Sequence, residues 1–253
     1  MPDLDDSVAK LAALLADARR IVFFTGAGIS TESGIPDFRS PGTGLWNQIK
    51  PIQFQDFMGS EKIRTESWRR RFTGERLMEN ALPNKGHLSI ARLVEEGRCL
   101  AVVTQNVDNL HQDAGVPREQ VIELHGNASY ATCLSCGIRY ELGDLERQFK
   151  QLGRVEPCGR CGGIIKSATI SFGQAMPEQA MQRALAAVEA CDLMVVAGSS
   201  LVVYPAAGFP EHAKRLGAAL AIVNREETPL DALADVVVRG EIGPALSFAV
   251  GMN

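Results

Sequence analysis

The chain has no surplus of positive charge: 26 Lys and Arg stand against 30 Asp and Glu, a net charge of −4. A general nucleic-acid binder usually carries a basic excess, so that class is set aside. No apolar run reaches the roughly 20 residues of a membrane span. The acidic start, Met1 to Asp6, has no apolar h-region of a secretory leader. The expectation is a cytoplasmic protein with no membrane or direct nucleic-acid partner. Internal repeats and low-complexity linkers are also missing. What remains is ordinary for a globular protein: 45% hydrophobic and 22% charged. Its 253 residues suffice for one large domain, or one domain with a smaller insertion.

Short apolar runs recur at Ile21–Phe24, Leu100–Val103, Leu193–Ala197, Ala219–Val223 and Val236–Val238. Such uninterrupted runs fit strands buried on both faces. Helical patterns lie between most of them, as at Gly86–Glu96 and Pro177–Ala190. Ser7 reads as the N-cap of a first helix carrying Val8, Leu11, Ala12, Leu14 and Leu15. Buried strands alternating with helices predict an α/β fold with a doubly wound, Rossmann-like parallel sheet. Two stretches break the alternation. Residues 41–80 are rich in Gly, Pro, Trp and Arg, with one helical stretch near Ser60–Phe72. Residues 126–169 carry paired cysteines and little aliphatic core. Both read as insertions forming a small lobe beside a large lobe of residues 1–40, 81–125 and 170–253.

Four of the six cysteines form two pairs, Cys133-x-x-Cys136 and Cys158-x-x-Cys161, with 21 residues between them. Each pair can offer two thiolates to one tetrahedral Zn²⁺, and Gly137, Gly159, Gly162 and Gly163 supply the turns. The segment contains no His, and four thiolates close a site, so the zinc is structural. Cys99 and Cys191 stand alone and read as core residues.

The strand ends carry Gly26-Ala27-Gly28, Gln105-Asn106, Gly198-Ser199-Ser200 and Asn224-Arg225-Glu226. Ligands of open parallel sheets sit at the carboxyl ends of the strands, so four polar or glycine-rich tips outline one site. Gly26-x-Gly28 resembles a phosphate-cradling turn. The third glycine of the usual fingerprint is replaced by Thr31, and no ribose-binding acid follows near Trp46-Asn47-Gln48-Ile49. A nucleotide site is expected, but not that of an ordinary dehydrogenase. His125 follows the strand-like Val121–Leu124 and precedes Gly126, which suits a general base. His87 and His111 sit in helical patterns and read as structural, and His212 as surface.

The block Gly26–Arg39 closely resembles the NAD-binding loop of the sirtuins. Further blocks follow in that family's order: Pro83-Asn84 with His87, Thr104–His111, Leu124–Asn127, the four cysteines, Phe172-Gly173, Gly198–Pro205 and Ile222–Glu226. The resemblance implies a compact bacterial-type core that uses NAD to deacylate protein lysines, acetyl-lysine first. In such enzymes the acyl oxygen attacks the ribose carbon bearing nicotinamide, nicotinamide leaves, and an alkylamidate forms. A histidine base, here His125, then lets a ribose hydroxyl take the acyl group.

By position, Gly26, Ala27 and Gly28 would approach the diphosphate, with Ser30 and Thr31 nearby. Asp37, Phe38 and Arg39 belong to the cofactor loop, where Phe38 would shield the reacting ribose. Gln105, Asn106 and Asp108 would hold the ribose and nicotinamide. Gly198, Ser199 and Ser200 would face the adenosine side, with Asn224, Arg225 and Glu226 at its ribose and Ile242 flanking adenine. An acylated peptide would add as a strand between Phe172-Gly173 and Val202-Val203. The family's size suggests a monomer.

Departures from the pattern lie in Lys166–Gln174, where the family commonly has Arg-Pro-x-Val-Val-x-Phe-Gly-Glu. That leaves mono-ADP-ribosyl transfer, which shares the NAD cleavage, as the alternative. Desuccinylating relatives carry a Tyr and an Arg three apart in the helical insert. Here it reads Ser67-Trp68-Arg69-Arg70-Arg71-Phe72, without Tyr, and the arginines read as a solvated face. Succinyl-lysine should therefore be a poor substrate. Rates on acetylated and succinylated versions of one peptide check this, and equal rates would contradict it.

Overall fold

The structure, a computed structural model, describes residues 4–38, 40, 42, 44, 50–73, 78 and 80–252. Arg39 and the Trp46–Ile49 segment lie outside them. The chain opens with α1 (Leu4–Asp17) and β1 (Ile21–Thr25), then α2 (Phe54–Gly59), α3 (Glu61–Thr73) and α4 (Lys85–Glu95). Next come β2 (Cys99–Thr104), α5 (Leu110–Asp113), β3 (Val121–Glu123), β4 (Gly126–Cys133), β5 (Arg139–Glu141), α6 (Leu142–Leu152) and β6 (Ile165–Thr169). The last third holds α7 (Glu178–Ala190), β7 (Leu193–Ala197), α8 (Gly208–Arg215), β8 (Ala219–Val223), β9 (Val236–Val238) and α9 (Ile242–Ala249).

Six strands form one sheet in the order β3-β2-β1-β7-β8-β9, every pair parallel. With β4–β6 set aside, this is the doubly wound order 3-2-1-4-5-6. Alternate residues of each strand serve opposite faces. Ile21, Phe23, Val102, Val195 and Val223 pack with Leu11, Leu15, Ile90 and Leu246, from α1, α4 and α9. Val22, Phe24, Val103, Val196 and Ile222 pack with Ala184, Val188, Phe209 and Ala213, from α7 and α8. Helices on both faces explain why these strands are apolar throughout. Cys99 and Ala101 face opposite sides although two residues apart. The register shift between Ile21 and Val22 absorbs the extra residue of β2. Cys99 is buried and Cys191 half-buried, and burial raises their thiols to about 12 and about 11, so both are unreactive.

The remaining strands form a three-stranded antiparallel sheet, β5-β4-β6. Its core joins the two sequence insertions: Trp68 of α3 packs with Ala131, Cys133, Leu145, Cys158 and Ile165. Trp68 stacks on Phe72 at 5.4 Å between ring centroids, and Phe72 meets Phe149 of α6 at 5.5 Å. Each large side chain buried here contributes about 1.5–3 kcal/mol. Ordering each residue costs about 1–2 kcal/mol in backbone entropy alone. So thin a core needs a cross-link, and the four cysteines sit at its edge.

Four local expectations are corrected. Ser7 is not an N-cap; the helix already runs from Leu4, and Ser7 is a buried residue within it. The insertion holds two helices, α2 before α3, because the short α2 buries one side chain, Phe57, too few to leave a periodic signal. His212 is half-buried with its Nε2 enclosed, because α8 is pressed against the sheet. Arg69 and Arg70 do pair with Glu66 in solvent, but Arg71 reaches across to donate to the Ala128 carbonyl (2.9 Å).

Candidate active site

β1 and β7 are neighbours at the centre of the sheet, and the strand order reverses between them. The parallel ladders run past the strand ends into the tips. Gly26 N–H donates to Ala197 O (3.1 Å), Gly28 N–H to Gly198 O (2.9 Å), and Gly198 N–H to Val223 O (3.0 Å). Gln105 N–H donates to Thr25 O (2.9 Å), Leu124 N–H to Thr104 O (2.9 Å) and Asn224 N–H to Val238 O (3.1 Å). The tips are thus one hydrogen-bonded surface.

Glycine is required where the loops cross. A Cβ on Gly26 would lie 2.7 Å from Gly198 O, and one on Gly28 2.7 Å from Gly198 Cα. Gly198 has φ +70°, and a Cβ there would lie 2.2 Å from Ile29 N. Past the crossing, residues 27–33 turn as a 3₁₀ helix. Thr31 Oγ1 donates to Gly28 O (2.9 Å), closing the turn from within.

Ser30 is buried beneath this turn. Its hydroxyl donates to Asp108 Oδ2 (2.7 Å) and accepts from Asn106 Nδ2 (3.1 Å). Asn106 Nδ2 also donates to Gly26 O (3.1 Å), and Asp108 Oδ1 takes the Leu110 N–H (3.0 Å). Burial raises the Asp108 pKa, and the bond from Ser30 pulls it back. Gln105 Nε2 donates to Ser199 Oγ (2.8 Å), joining the β2 and β7 tips.

His125 Nδ1 lies 3.0 Å from the Gln105 carbonyl oxygen. A carbonyl only accepts, so in the neutral ring Nδ1 carries the hydrogen and Nε2 the lone pair. That is the tautomer a base at Nε2 needs. His87 and His111 lie behind the site, fully buried, with ring centroids 5.0 Å apart. His111 Nε2 meets Thr25 Oγ1 (2.9 Å), which donates to Thr104 Oγ1 (2.8 Å). Burial keeps both rings uncharged, lowering His87 to about 4 and His111 well below its ordinary value. They are framework, as expected.

A cleft beside the crossing is lined by Gly28, Thr31, Asp37, Asn224, Glu226 and Ile242, among others. It brings together loop residues and the β8 tip, which are nearly two hundred positions apart in sequence. Asp37 also accepts from the backbone and hydroxyl of Ser40, while Arg225 reaches Glu241 (3.4 Å). Ala27 and Phe38 are half-buried at this loop, and Ser200 is half-buried at the β7 tip. Phe172 and Val202 are exposed at 39% and 50%, and neither Phe172-Gly173 nor Val202-Val203 is itself a strand. Two such segments outside both sheets suit an added strand, although Phe172 O already accepts the Phe54 N–H (2.9 Å).

The four cysteine sulfurs lie within 4.8 Å of one another. Zn–S bonds of about 2.3 Å in a tetrahedron separate sulfurs by about 3.8 Å, so the set fits. Cys133–Cys161 and Cys136–Cys158 stand at 3.5 and 3.7 Å. The two knuckles match: Gly137 N–H donates to Cys133 O (2.9 Å) and Gly162 N–H to Cys158 O (2.8 Å), both glycines with positive φ. Tyr140 OH donates to Cys158 Sγ (3.1 Å) and holds that thiol down to about 6, favouring the thiolate that zinc takes.

Sequence reasoning missed several supports. Asn84 caps α4 through Gly86 N–H and ties it to the loop through Ile29 O (2.7 Å) and Ser33 Oγ (2.9 Å). Glu32 accepts the Gly243 N–H (2.7 Å) at the start of α9. Thr25 and Thr104 each close an apolar run, a polar signal at a buried strand end that marked the shared hydroxyl contact.

A family model described as the Sir2 family matches residues 26–205. The NAD-dependent protein deacetylase 1 of Bradyrhizobium diazoefficiens is 54% identical over 249 residues, covering 98% of this chain and 97% of its own length. The NAD-dependent protein deacetylase of Rhodopseudomonas palustris is 50% identical over 250 residues, covering 99% and 98%. A solved structure of Sir2 with a p53 peptide and NAD+ superposes with TM-score 0.84 at 36% identity, covering 96% and 98%.

If the glycine crossing seats the diphosphate, Gly198→Ala should weaken NAD binding at least about tenfold, because the new Cβ must push the Gly28–Ile29 peptide out of place. Calorimetric titration with NAD checks this, and unchanged affinity would contradict it.

Proposed function

The chain belongs to the Sir2 family, and on that premise we propose that it is an NAD-dependent protein-lysine deacylase, acting first on acetyl-lysine. It passes the acyl group to ADP-ribose and releases nicotinamide. One observation carries the reading: the glycine crossing of β1 and β7 and a histidine in the base tautomer stand at the same edge of the sheet. The transferase alternative is not favoured, since the relatives are named deacetylases.

The residue roles are our assignment. Gly26, Ala27 and Gly28 approach the diphosphate, with Ser30 and Thr31 nearby; the Gly26 and Gly28 N–H groups are given to Ala197 O and Gly198 O, so the missing Cβ atoms, which let the main chain come close, carry the role. Asp37 and Phe38 belong to the loop that covers it, with Arg39 beside them in sequence. Asn224, Arg225, Glu226 and Ile242 take the adenosine, with Gly198, Ser199 and Ser200 next to them. Gln105, Asn106 and Asp108 hold the nicotinamide ribose, and their own hydrogen bonds to Ser199, Gly26 and Ser30 fix them before the co-substrate arrives. His125 receives a ribose hydroxyl proton at Nε2. The exposed Phe172-Gly173 and Val202-Val203 segments receive the acylated peptide as a strand.

We also take the chain as one catalytic domain with the lobe boundaries expected from sequence. Cys133, Cys136, Cys158 and Cys161 hold one Zn²⁺, which cross-links the small lobe and contributes no group to the reaction. No described helix is long and apolar enough to cross a membrane. We place the protein in the cytoplasm as a monomer, without nucleic-acid or membrane partners.

Mass spectrometry of an acetyl-lysine peptide, with and without NAD, tests the proposal. Deacetylation and O-acetyl-ADP-ribose should appear only with NAD. His125→Ala should lower the rate about 10²–10⁴-fold, the usual share of a general base, while NAD binding stays. NAD-independent deacetylation, or a fully active alanine variant, would overturn it.

A further inference from the structure

Lys166 is only 4% exposed. Among the described residues its partners are carbonyls and a ring face, not a carboxylate. Its Nζ donates to Thr169 O (2.6 Å) and, at greater length, to Ser167 O (3.4 Å). The ammonium also stands 6.0 Å from the Phe57 ring centroid in α2. An ammonium buried without a counter-charge is costly, and burial lowers its pKa to about 8. Stability alone would be served as well by an apolar side chain of similar volume.

The gain lies in what Thr169 is attached to. Thr169 C=O and Ile170 N–H belong to one planar peptide unit. The Ile170 N–H donates to the carbonyl oxygen of His125 (2.7 Å). The Gly126–Thr169 pairing flanks the same unit, and Gly126 is packed so closely that a Cβ would lie 2.0 Å from Ala168 O. A rigid chain therefore runs from the Lys166 ammonium through the Thr169–Ile170 peptide to the backbone of His125. A charge on the carbonyl side also strengthens the N–H bond on the other side. The same peptide leads into Ser171–Phe172, one wall of the proposed peptide groove.

We propose that Lys166 is a positioning residue for the acyl-transfer step, holding the backbone of His125 through the Thr169–Ile170 peptide. The proposal rests on the deacylase reading. It separates Lys166 from a merely structural residue because the reaction has two observable stages. Nicotinamide release and re-entry precede the step that needs the base, whereas deacetylation requires it.

The test compares two rates at saturating acetyl-lysine peptide and NAD: exchange of labelled nicotinamide into NAD, and deacetylation. Lys166→Met should lower deacetylation about ten- to a hundredfold, the effect of a lost charge-assisted hydrogen bond. It should lower exchange less than about threefold, with zinc retained. Lys166→Arg restores a cationic donor and should return deacetylation to within about threefold of wild type. Equal losses in both rates, an unaffected Met variant, or an Arg variant no better than Met would overturn the proposal. If Met does not fold, Lys166→Gln takes its place against Arg. If neither neutral variant folds while Arg does, Lys166 is structural and the proposal fails. A wild-type protein without either reaction would instead overturn the deacylase reading itself.

Discussion

The backbone crossing of Gly26–Gly28 with Gly198 sets the terms for the rest of the molecule. No Cβ fits at any of the three positions, so the loops leaving β1 and β7 touch main chain to main chain. That contact forms at the point where the sheet winds in opposite directions, beside the cleft lined by Gly28 and Thr31. Other groups are then placed in sequence. The turn buries Ser30, Ser30 holds Asp108, and Asn106 bridges Ser30 to Gly26. Gln105 reaches Ser199 with its side chain and His125 with its carbonyl. Of these side chains, Asn106 is bonded to the crossing itself, through Gly26 O.

Outside the crossing, hydrogen bonds from distant parts of the chain keep the loop in place. Asn84 grips it at Ile29 and Ser33, and Glu32 joins it to α9. The buried His87 and His111 rings fill the space behind it uncharged. The site is thus supported by packed framework on the inner side and open on the other. Such an arrangement allows a large co-substrate to bind to a surface already formed.

Much of this was legible in sequence for definite reasons. The strands are covered by helices on both faces, so Ile21–Phe24 and Leu193–Ala197 read as unbroken apolar runs. Their polar tips, the glycines and the spacing of the cysteines were equally plain. What could not be read depended on contacts distant in sequence. Ser7 looked like a cap because its burial against the core leaves no local mark. Helix α2 is too short for periodicity, and Arg71 differs from Arg69 only in lying opposite the Ala128 carbonyl. Nor could the sequence show that the Ser30 hydroxyl donates to Asp108, 78 positions away.

The three-stranded sheet is tied to the rest of the molecule where β6 gives way to Ile170, whose N–H donates to His125 O. Its thin core of Trp68, Leu145 and Ile165, closed by four thiolates, fixes the direction from which that segment arrives. The central claim, that one sheet edge seats NAD and acyl-lysine against His125, is tested most directly by a crystal structure with NAD and an acetyl-lysine peptide. The account predicts the diphosphate at Gly26–Gly28, the adenosine side at Gly198–Ser200, and the peptide paired between Phe172-Gly173 and Val202-Val203. A dinucleotide bound away from that crossing, or a peptide seated elsewhere, would contradict it.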